Sequence, residues 1–485
     1  MRLRVKSFGP IQQVDVDFRN LTILIGKNNL GKSYLAQLYY AIIDCTKQSI
    51  EPTLPSWAVE LNVELADEDY LFYANLQSRE QLRELAKKLT NNNEDNSIII
   101  KDITDIFLKS LSDRIGKLIQ SSLERSFGVA ISKLVNINHN FSKIRWDINE
   151  LLEVSVELTK KGKVTAVVTV DELRWKPYSE TLAESKIFET LKTAPKRKNT
   201  QLAKLHREIW RLLISNETRK CWHGKPYYIP AGRGGLIESY ETVVQGLVSL
   251  SPVAPVRGLS MPPMPGMAAQ FYTIMLQLKN HKGPLNKIVS EPFKQMFKGE
   301  IQFRKVKGQL KSRLVYKFSS GNKTGETDLI HAASMIKELT PIYSIVKELV
   351  RRGDYLLIEE PESHLHPGAQ IKMANVIGDI ASNKVNVLIT SHSDIMLRAV
   401  GHMLGEVYAK ASPQIMGKAT IYWLKEGETG CTSEEIKISK RGIIKDIPSF
   451  DDVIKELYET EIKLENDDFK GEQAFQKELP LPPKA

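Results

Sequence analysis

The sequence predicts an α/β protein: a phosphate-loop core with an antiparallel β lobe at its amino end, interrupted by a large, mainly helical insertion. Three observations predict it. An apolar run at residues 21–25 leads into a glycine loop, "GKNNLGKSYL", and then into apolar residues at helical spacing over 35–43. Two further apolar runs, "YLLIEE" from Tyr355 and "NVLITS" from Asn386, read as buried strands that end in polar groups. Between these ends lie stretches with apolar residues three and four apart, "ITDIFLKSLSDRIGKLIQSSLERSF" being the clearest.

In chain order, the opening reads as strands: "RLRVKSF", a turn at Gly9 and Pro10, "VDVDF" alternating at period two, then "LTILI". Residues 67–134 read as charged amphipathic helices, the first of them, "NLQSREQLRELAKKLTNNNEDN", ending in a polar turn. "WDINELLEVSVELTKKGKVTAVVTV" reads as two strands joined at residues 160–163, and "ESKIFETLKTAPKRKNTQLAKLHREIWRLLISNETRK" as basic helices. "KPYYIP" is a buried strand that returns the chain to the core sheet, followed by a loop at 230–235 and a helix. "SLSPVAPVRGLSMPPMPGMAAQF" holds five prolines and three methionines, too many helix breakers for regular structure, and reads as a long mobile loop. "EIQFRKVKGQLKSRLVYKF" is a hairpin, "TIYWL" and "EEIKI" are short strands, "SFDDVIKELYETEIKL" is a helix and "KELPLPPKA" a disordered tail. The expected division is therefore 1–60 and 301–425 for the two parts of the core, 61–224 for the insert, 225–300 for a return strand with a basic helical region, and 426–485 for a terminal segment.

Composition narrows the function. At 485 residues, 42% apolar and 26% charged, the chain has the make-up of a soluble globular protein. No run approaches the roughly 20 apolar residues of a membrane span, and "MRLRVKSFGP" has no signal-peptide core, so a cytoplasmic protein with no membrane partner is expected. Cys45, Cys221 and Cys431 form no CxxC pair, which argues against a disulfide framework or a thiolate metal site. The net charge of +10 is uneven: residues 180–320 carry 24 Lys and Arg against 9 Glu, a net of +15, with no aspartate. Such a stretch is either a set of solvated helix faces or a phosphate-binding surface that could take DNA by releasing its counterions.

Gly26, Lys27, Asn28, Asn29, Gly31, Lys32 and Ser33 fit GxxxxGKS between a strand and a helix. Backbone N–H groups of such a loop point at phosphates, the lysine adds a cation on the β and γ groups, and the Ser33 hydroxyl takes Mg²⁺. The second half of a phosphate site is a strand ending in carboxylates, here Glu359, for the Mg²⁺ shell, and Glu360, to orient an attacking water. A third strand presents His392, within reach of a γ-phosphate. His364 and His366 could join His392 as metal ligands, but they lack a cysteine or HxxxH spacing, and the non-metal reading is preferred.

Together, "FGPI…LTILIGKNNLGKS…SSG…LLIEEPESHLHP…ITSHSD" resembles the ABC-type ATPase heads of the SMC and RecF group, and most closely the overcoming-lysogenization-defect (OLD) family and related defence ATPases. The likeness covers residues 1–50 and 315–425 and hardly touches the insert. It implies ATP and Mg²⁺, with Lys32 and Ser33 on phosphate and metal, Glu359 as the Walker B carboxylate in place of the usual aspartate, Glu360 as the catalytic glutamate and His392 as the switch histidine. It also implies a signature element acting in trans on a partner's γ-phosphate, placed at Ser320 and Gly321 ahead of a helix, and therefore a homodimer or higher oligomer. OLD nucleases carry a TOPRIM domain after the ATPase. Here no DxD follows Asp394, so the expectation is an ATPase sensor or scaffold of an anti-phage defence system, of the PARIS or Septu type, working with a separately encoded nuclease or toxin. The alternative is a DNA-repair or recombination ATPase that clamps DNA through 180–320.

Overall fold

The computed structural model describes residues 1–50, 96–185, 208–209, 211–214, 222–250, 264–305, 312–320, 323–409, 419–439, 441–444 and 455–464. Strands β1 (Arg2–Phe8) and β2 (Ile11–Asp17) alternate between buried and exposed residues and pair antiparallel. The turn between them needs Gly9, at φ 51° with the Tyr34 ring packed where a side chain would start. β3 (Leu21–Gly26) is buried throughout and runs into the phosphate loop and α1 (Lys32–Ile50).

After α2 (Asn96–Phe127) come three antiparallel strands, β4 (Phe141–Asp147), β5 (Leu152–Thr159) and β6 (Val164–Val170), then α3 (Glu172–Ala183). The two expected strands are there, and a third, β4, precedes them and joins the set to β1. The described part of the insert is thus fused to the amino-terminal lobe as one antiparallel sheet. Its last strand, β6, is rich in valine and threonine and would be an open edge. Helix α2 covers it: Val168 donates its N–H to Ser112 Oγ at 2.8 Å, and Gly116 faces Ala166.

The chain returns through β7 (Pro226–Ile229) and α4 (Arg233–Leu250). Residues 251–263 of the Pro- and Met-rich segment lie outside the described residues, but its end is not loop. Beyond Pro265 the prolines stop, and α5 (Gly266–Gln277) buries Met267, Phe271, Ile274 and Met275 at helical spacing. Helix α6 (Asn286–Phe297) leads to a separate antiparallel sheet of β8 (Gly299–Lys305), β9 (Ser312–Ser320) and β10 (Lys323–Asp328), which contains the expected hairpin. Helix α7 (Ser334–Glu348) follows, then β11 (Tyr355–Glu359), α8 (Pro367–Ser382), β12 (Asn386–Ser391), α9 (Asp394–Ala409), β13 (Ala419–Glu426) and β14 (Cys431–Ile436). The expected last helix is present at 455–464; residues 67–95, most of 186–221 and the tail lie outside the described residues.

The main sheet runs β6-β5-β4-β1-β2-β14-β13-β3-β12-β11-β7 among the described residues. From β13 to β7 all neighbours are parallel, and β14 is the joint to the antiparallel half. Because side chains alternate along a strand, each buried parallel strand serves two cores. Leu24, Leu357 and Leu388 pack with Leu38 and Ile42 of α1 and Ile115 of α2. Ile23, Ile358 and Ile389 pack with Ile342 of α7, Ile377 of α8 and Leu397 of α9. The result is an α/β/α core with an antiparallel lobe, the fold class expected, and it leaves one edge where four strand ends meet.

Candidate nucleotide site

Parallel strands deliver their carboxyl ends to the same side, and polar residues collect there. Across the sheet, β7 delivers the loop 230–234, β11 delivers Glu359 and Glu360, β12 delivers Thr390 to His392, and β3 delivers Gly26.

The loop after β3 has the backbone that its glycines predict. A Cβ on Gly26 (φ 146°) would lie 2.3 Å from the Leu424 carbonyl oxygen of β13, and Gly31 turns at φ 84° against Pro10. Asn29 is left-handed at φ 62°, which asparagine tolerates better than most residues. Lys27, Asn28, Asn29 and Ser33 are exposed. Lys32 is buried, and its ammonium donates to the carbonyls of Gly26 (2.9 Å) and Lys27 (2.7 Å), which holds it over the loop. Burial pulls its pKa down to about 8, opposed first by the field of Glu360. A positive helix terminus with no acid in its first turn, crossed by a lysine, is an anion site.

Glu359 is buried at the end of β11. Its Oε2 accepts the N–H of Ala231 at 3.0 Å, while Oε1 is buried without a hydrogen-bond partner. Glu360 has turned out of the strand, at φ 42°, and is half-exposed. Its N–H donates to Thr390 O at 3.0 Å, Ser363 Oγ donates to its Oε2 at 3.1 Å, and its Oε1 lies 3.8 Å from His392 Nε2. Burial and the neighbouring Lys32 charge lower the His392 pKa, so the imidazole is neutral near pH 7. Lys32, Glu359, Glu360 and His392, far apart in sequence, therefore share one site.

Reading the sequence missed three residues here. Glu362 is buried, and its Oε1 accepts Ser391 Oγ and the His392 N–H, both at 2.7 Å, so it fixes the loop that carries the histidine. Arg233 and Glu338 form a buried ion pair behind Glu359. The only signals were an acid two residues past Glu360 and an arginine set among glycines in "AGRGG".

The expected signature stretch leads into α7, with Ser320 one strand upstream of it. Ser320 closes β9 and pairs with Lys323 of β10, Gly321 lies outside the described residues, and β10 and a short helical turn intervene before α7 begins at Ser334. Residues 323–328 pair antiparallel with β9, a helical turn follows at Leu329–His331, and the α-helix begins at Ser334. His366 caps α8 by accepting the Gly368 N–H at 3.3 Å, and His364 is exposed at φ 60°.

With this geometry in place, comparison with known proteins decides the family. A model of the AAA ATPase domain (AAA_15) matches residues 1–221 and 278–397, well over half of the chain. The chain belongs to the AAA ATPase domain family. Among solved structures, three SMC heads are similar at 10% identity: one bound to the C-terminal winged-helix domain of ScpA, covering 90% of this chain and 98% of that one (TM-score 0.37); one from Thermotoga maritima, covering 90% and 98% (0.36); and one from Pyrococcus furiosus with an extended coiled coil and bound ScpA domain, covering 95% and 98% (0.35). At such TM-scores these likenesses add nothing to what the strand order already says. No curated protein matches the sequence. No helix among the described residues is long and apolar enough to cross a membrane.

The implied Mg²⁺ fits the residues present. Glu359, which lies by the buried Tyr228 hydroxyl, keeps Oε1 buried without a close hydrogen bond, Ser33 is exposed at the start of α1, and hard cations take oxygen ligands of this kind. Glu338, Glu359, Glu360 and Glu362 also outnumber the two cations, Lys32 and Arg233, that feel their fields.

Proposed function

We propose that this AAA ATPase domain binds ATP at the carboxyl edge of the parallel strands and hydrolyses it there. The observation that carries the reading is the convergence of Lys32, Glu359, Glu360 and His392 on one edge. Residues 26–33 cradle the phosphates, and Lys32 leaves the loop carbonyls for the β and γ groups. Ser33 and Glu359 hold Mg²⁺, which offsets phosphate charge when bound. Glu360 orients the attacking water and draws its proton, and neutral His392 steadies the γ-phosphate and the Glu360 carboxylate.

ATP acts as a removable adhesive between protomers: binding closes a homodimer or larger assembly and hydrolysis opens it. The partner's contribution comes from residues 317–335, with Ser320 and Gly321 the candidates, the stretch that runs into the start of α7. In the cell this is a cytoplasmic OLD-type sensor or scaffold of anti-phage defence, with a separately encoded nuclease or toxin as effector; the support is the pair of motifs "IEEPESHLHP" and "TSHSD". The net charge of +15 over residues 180–320 supports a second reading, a repair ATPase that clamps DNA.

Turnover measured against protein concentration, with sedimentation in ATP and with or without duplex DNA, tests this. Specific activity should rise with concentration as an ATP-dependent assembly forms. Turnover by a monomer at all concentrations would remove the adhesive model, and salt-sensitive stimulation by DNA would favour the repair reading.

A further inference from the structure

Arg233 opens α4 with its side chain wholly buried. A guanidinium has five N–H donors and keeps its charge at any ordinary pH, so it is tolerated at such depth only when paired and hydrogen-bonded. Nη1 donates to the carbonyls of Glu359 (2.8 Å) and Pro230 (3.2 Å), and Nη2 to that of Glu360 (3.1 Å). Nε donates to Glu338 O at 2.9 Å and lies 3.3 Å from Glu338 Oε2. Glu338 stands one turn into α7, and its Oε1 accepts the Gly234 N–H at 3.0 Å. One side chain thus joins the main chain of both glutamates at the end of β11 to helix α7.

Two features make this more than core filling. Glu360 occupies the left-handed region, which is unfavourable for a residue with a side chain and persists only where surroundings impose it. Those surroundings are the Thr390 carbonyl on its N–H side and Arg233 on its carbonyl side. Second, a buried ion pair adds little stability over an apolar filling of the same volume, because desolvation offsets the Coulomb attraction. An Arg–Glu pair is a poor way to fill this space and an effective way to hold main-chain carbonyls in one register.

We propose that Arg233 is a positioning residue for the hydrolytic step. It sets the backbone that aims the Glu360 carboxylate at the phosphate site, and through Glu338 it makes that aim depend on where α7 sits. Nucleotide affinity resides chiefly on the loop after β3, and this link touches it only through the main chain of Glu359. A displacement of α7, the helix that follows the proposed trans-acting stretch, therefore changes turnover far more than binding. The inference rests on Glu360 being the hydrolytic carboxylate.

The test uses the full chain: steady-state hydrolysis, binding of a fluorescent ATP analogue and thermal melting for wild type, Arg233→Lys, Glu338→Gln, their double variant and Glu360→Gln. Lysine keeps the charge, but its one nitrogen cannot span the carbonyls of Glu338, Glu359 and Glu360. Arg233→Lys should lower kcat about 10- to 100-fold with KM and analogue affinity within about threefold, the pattern of a lost transition-state interaction. Glu338→Gln, which keeps the Gly234 acceptor and the volume, should lower kcat about three- to tenfold, and the double variant should fall short of the product of the two because both break one linkage. A folded Arg233→Lys protein with kcat within twofold of wild type overturns the proposal, as does a parallel loss of affinity, kcat and melting temperature. If Arg233→Lys fails to melt cooperatively, Glu338→Gln decides alone, and an unchanged kcat there overturns it. Wild-type turnover by Glu360→Gln is a separate result, which sinks the assignment of Glu360 whatever the Arg233 variants do.

Discussion

The two halves of the main sheet are built from similar residues and do different work. In the antiparallel half, β6-β5-β4-β1-β2, neighbouring strands end at opposite edges, buried residues alternate with exposed ones, and charges pair locally across the surface, as Arg2 does with Asp15 and Arg4 with Glu153. In the parallel half, strands buried on both faces have nowhere to put a polar group except at their ends, and all those ends fall on one edge. The lesson is that parallel pairing concentrates chemistry, whereas antiparallel pairing spreads it.

If so, substitutions in the two halves should separate function from stability. The largest functional effect short of Glu360, the proposed hydrolytic group, is expected at Lys32. Lys32→Met should weaken ATP binding about 10- to 100-fold, the usual worth of a charged hydrogen-bonding group, with little change in melting temperature. Binding of a fluorescent analogue measures it, and unchanged affinity would break the comparison. In the other half, Trp146 is wholly buried in β4 and its indole N–H donates to Thr46 Oγ1 at 3.1 Å. Trp146→Phe should cost about 1–3 kcal/mol in denaturant unfolding, from the lost hydrogen bond and the space left behind, with nucleotide affinity within twofold.

A smaller effect follows from pH. Lys32 in the folded protein loses its proton near pH 8, below the ordinary lysine value of about 10.4, and a bound phosphate would keep the proton on. Affinity for ATP should therefore be flat below pH 8 and fall above it, by at most about tenfold per pH unit. The sign is the same for stability: between about 8 and 10.4 the unfolded chain holds more protons than the folded one, so without nucleotide the fold gains stability as pH rises through that window. A binding titration from pH 6.5 to 9.5 checks the first, and Lys32→Met should flatten it. The smallest effect is at the surface: Arg2→Ala removes an exposed 2.8 Å ion pair with Asp15 and should cost under about 1 kcal/mol by melting.

Legibility in the sequence followed the range of the interactions. Gly26, Gly31, Lys32, Glu359 and Glu360 were readable because each sits in a short string whose order alone requires its conformation or chemistry. The strands from Tyr355 and Asn386 were readable because continuous apolar runs mean burial on both faces. Strand β4 was missed because its pairing with β1 spans more than 130 residues and only part of "FSKIRWD" alternates between apolar and polar. Arg233 and Glu362 were hidden for the opposite reason: as single charged residues in glycine- or proline-containing loops they look solvated, and only the fold shows that they are enclosed. The end of β9 at Ser320 was not readable, because "SSG" carries the letters of a signature while the pairing of Ser320 with Lys323 is set by residues before and after.

The central claim is that the polar strand ends form one hydrolytic site, and Glu360→Gln tests it most directly. Bound nucleotide and turnover would be measured on the same sample. The account predicts wild-type ATP occupancy with hydrolysis reduced on the order of a thousandfold, since the glutamine keeps the shape and loses the base. Hydrolysis at the wild-type rate would contradict it and return the loop after β3 to being a phosphate site of some other kind.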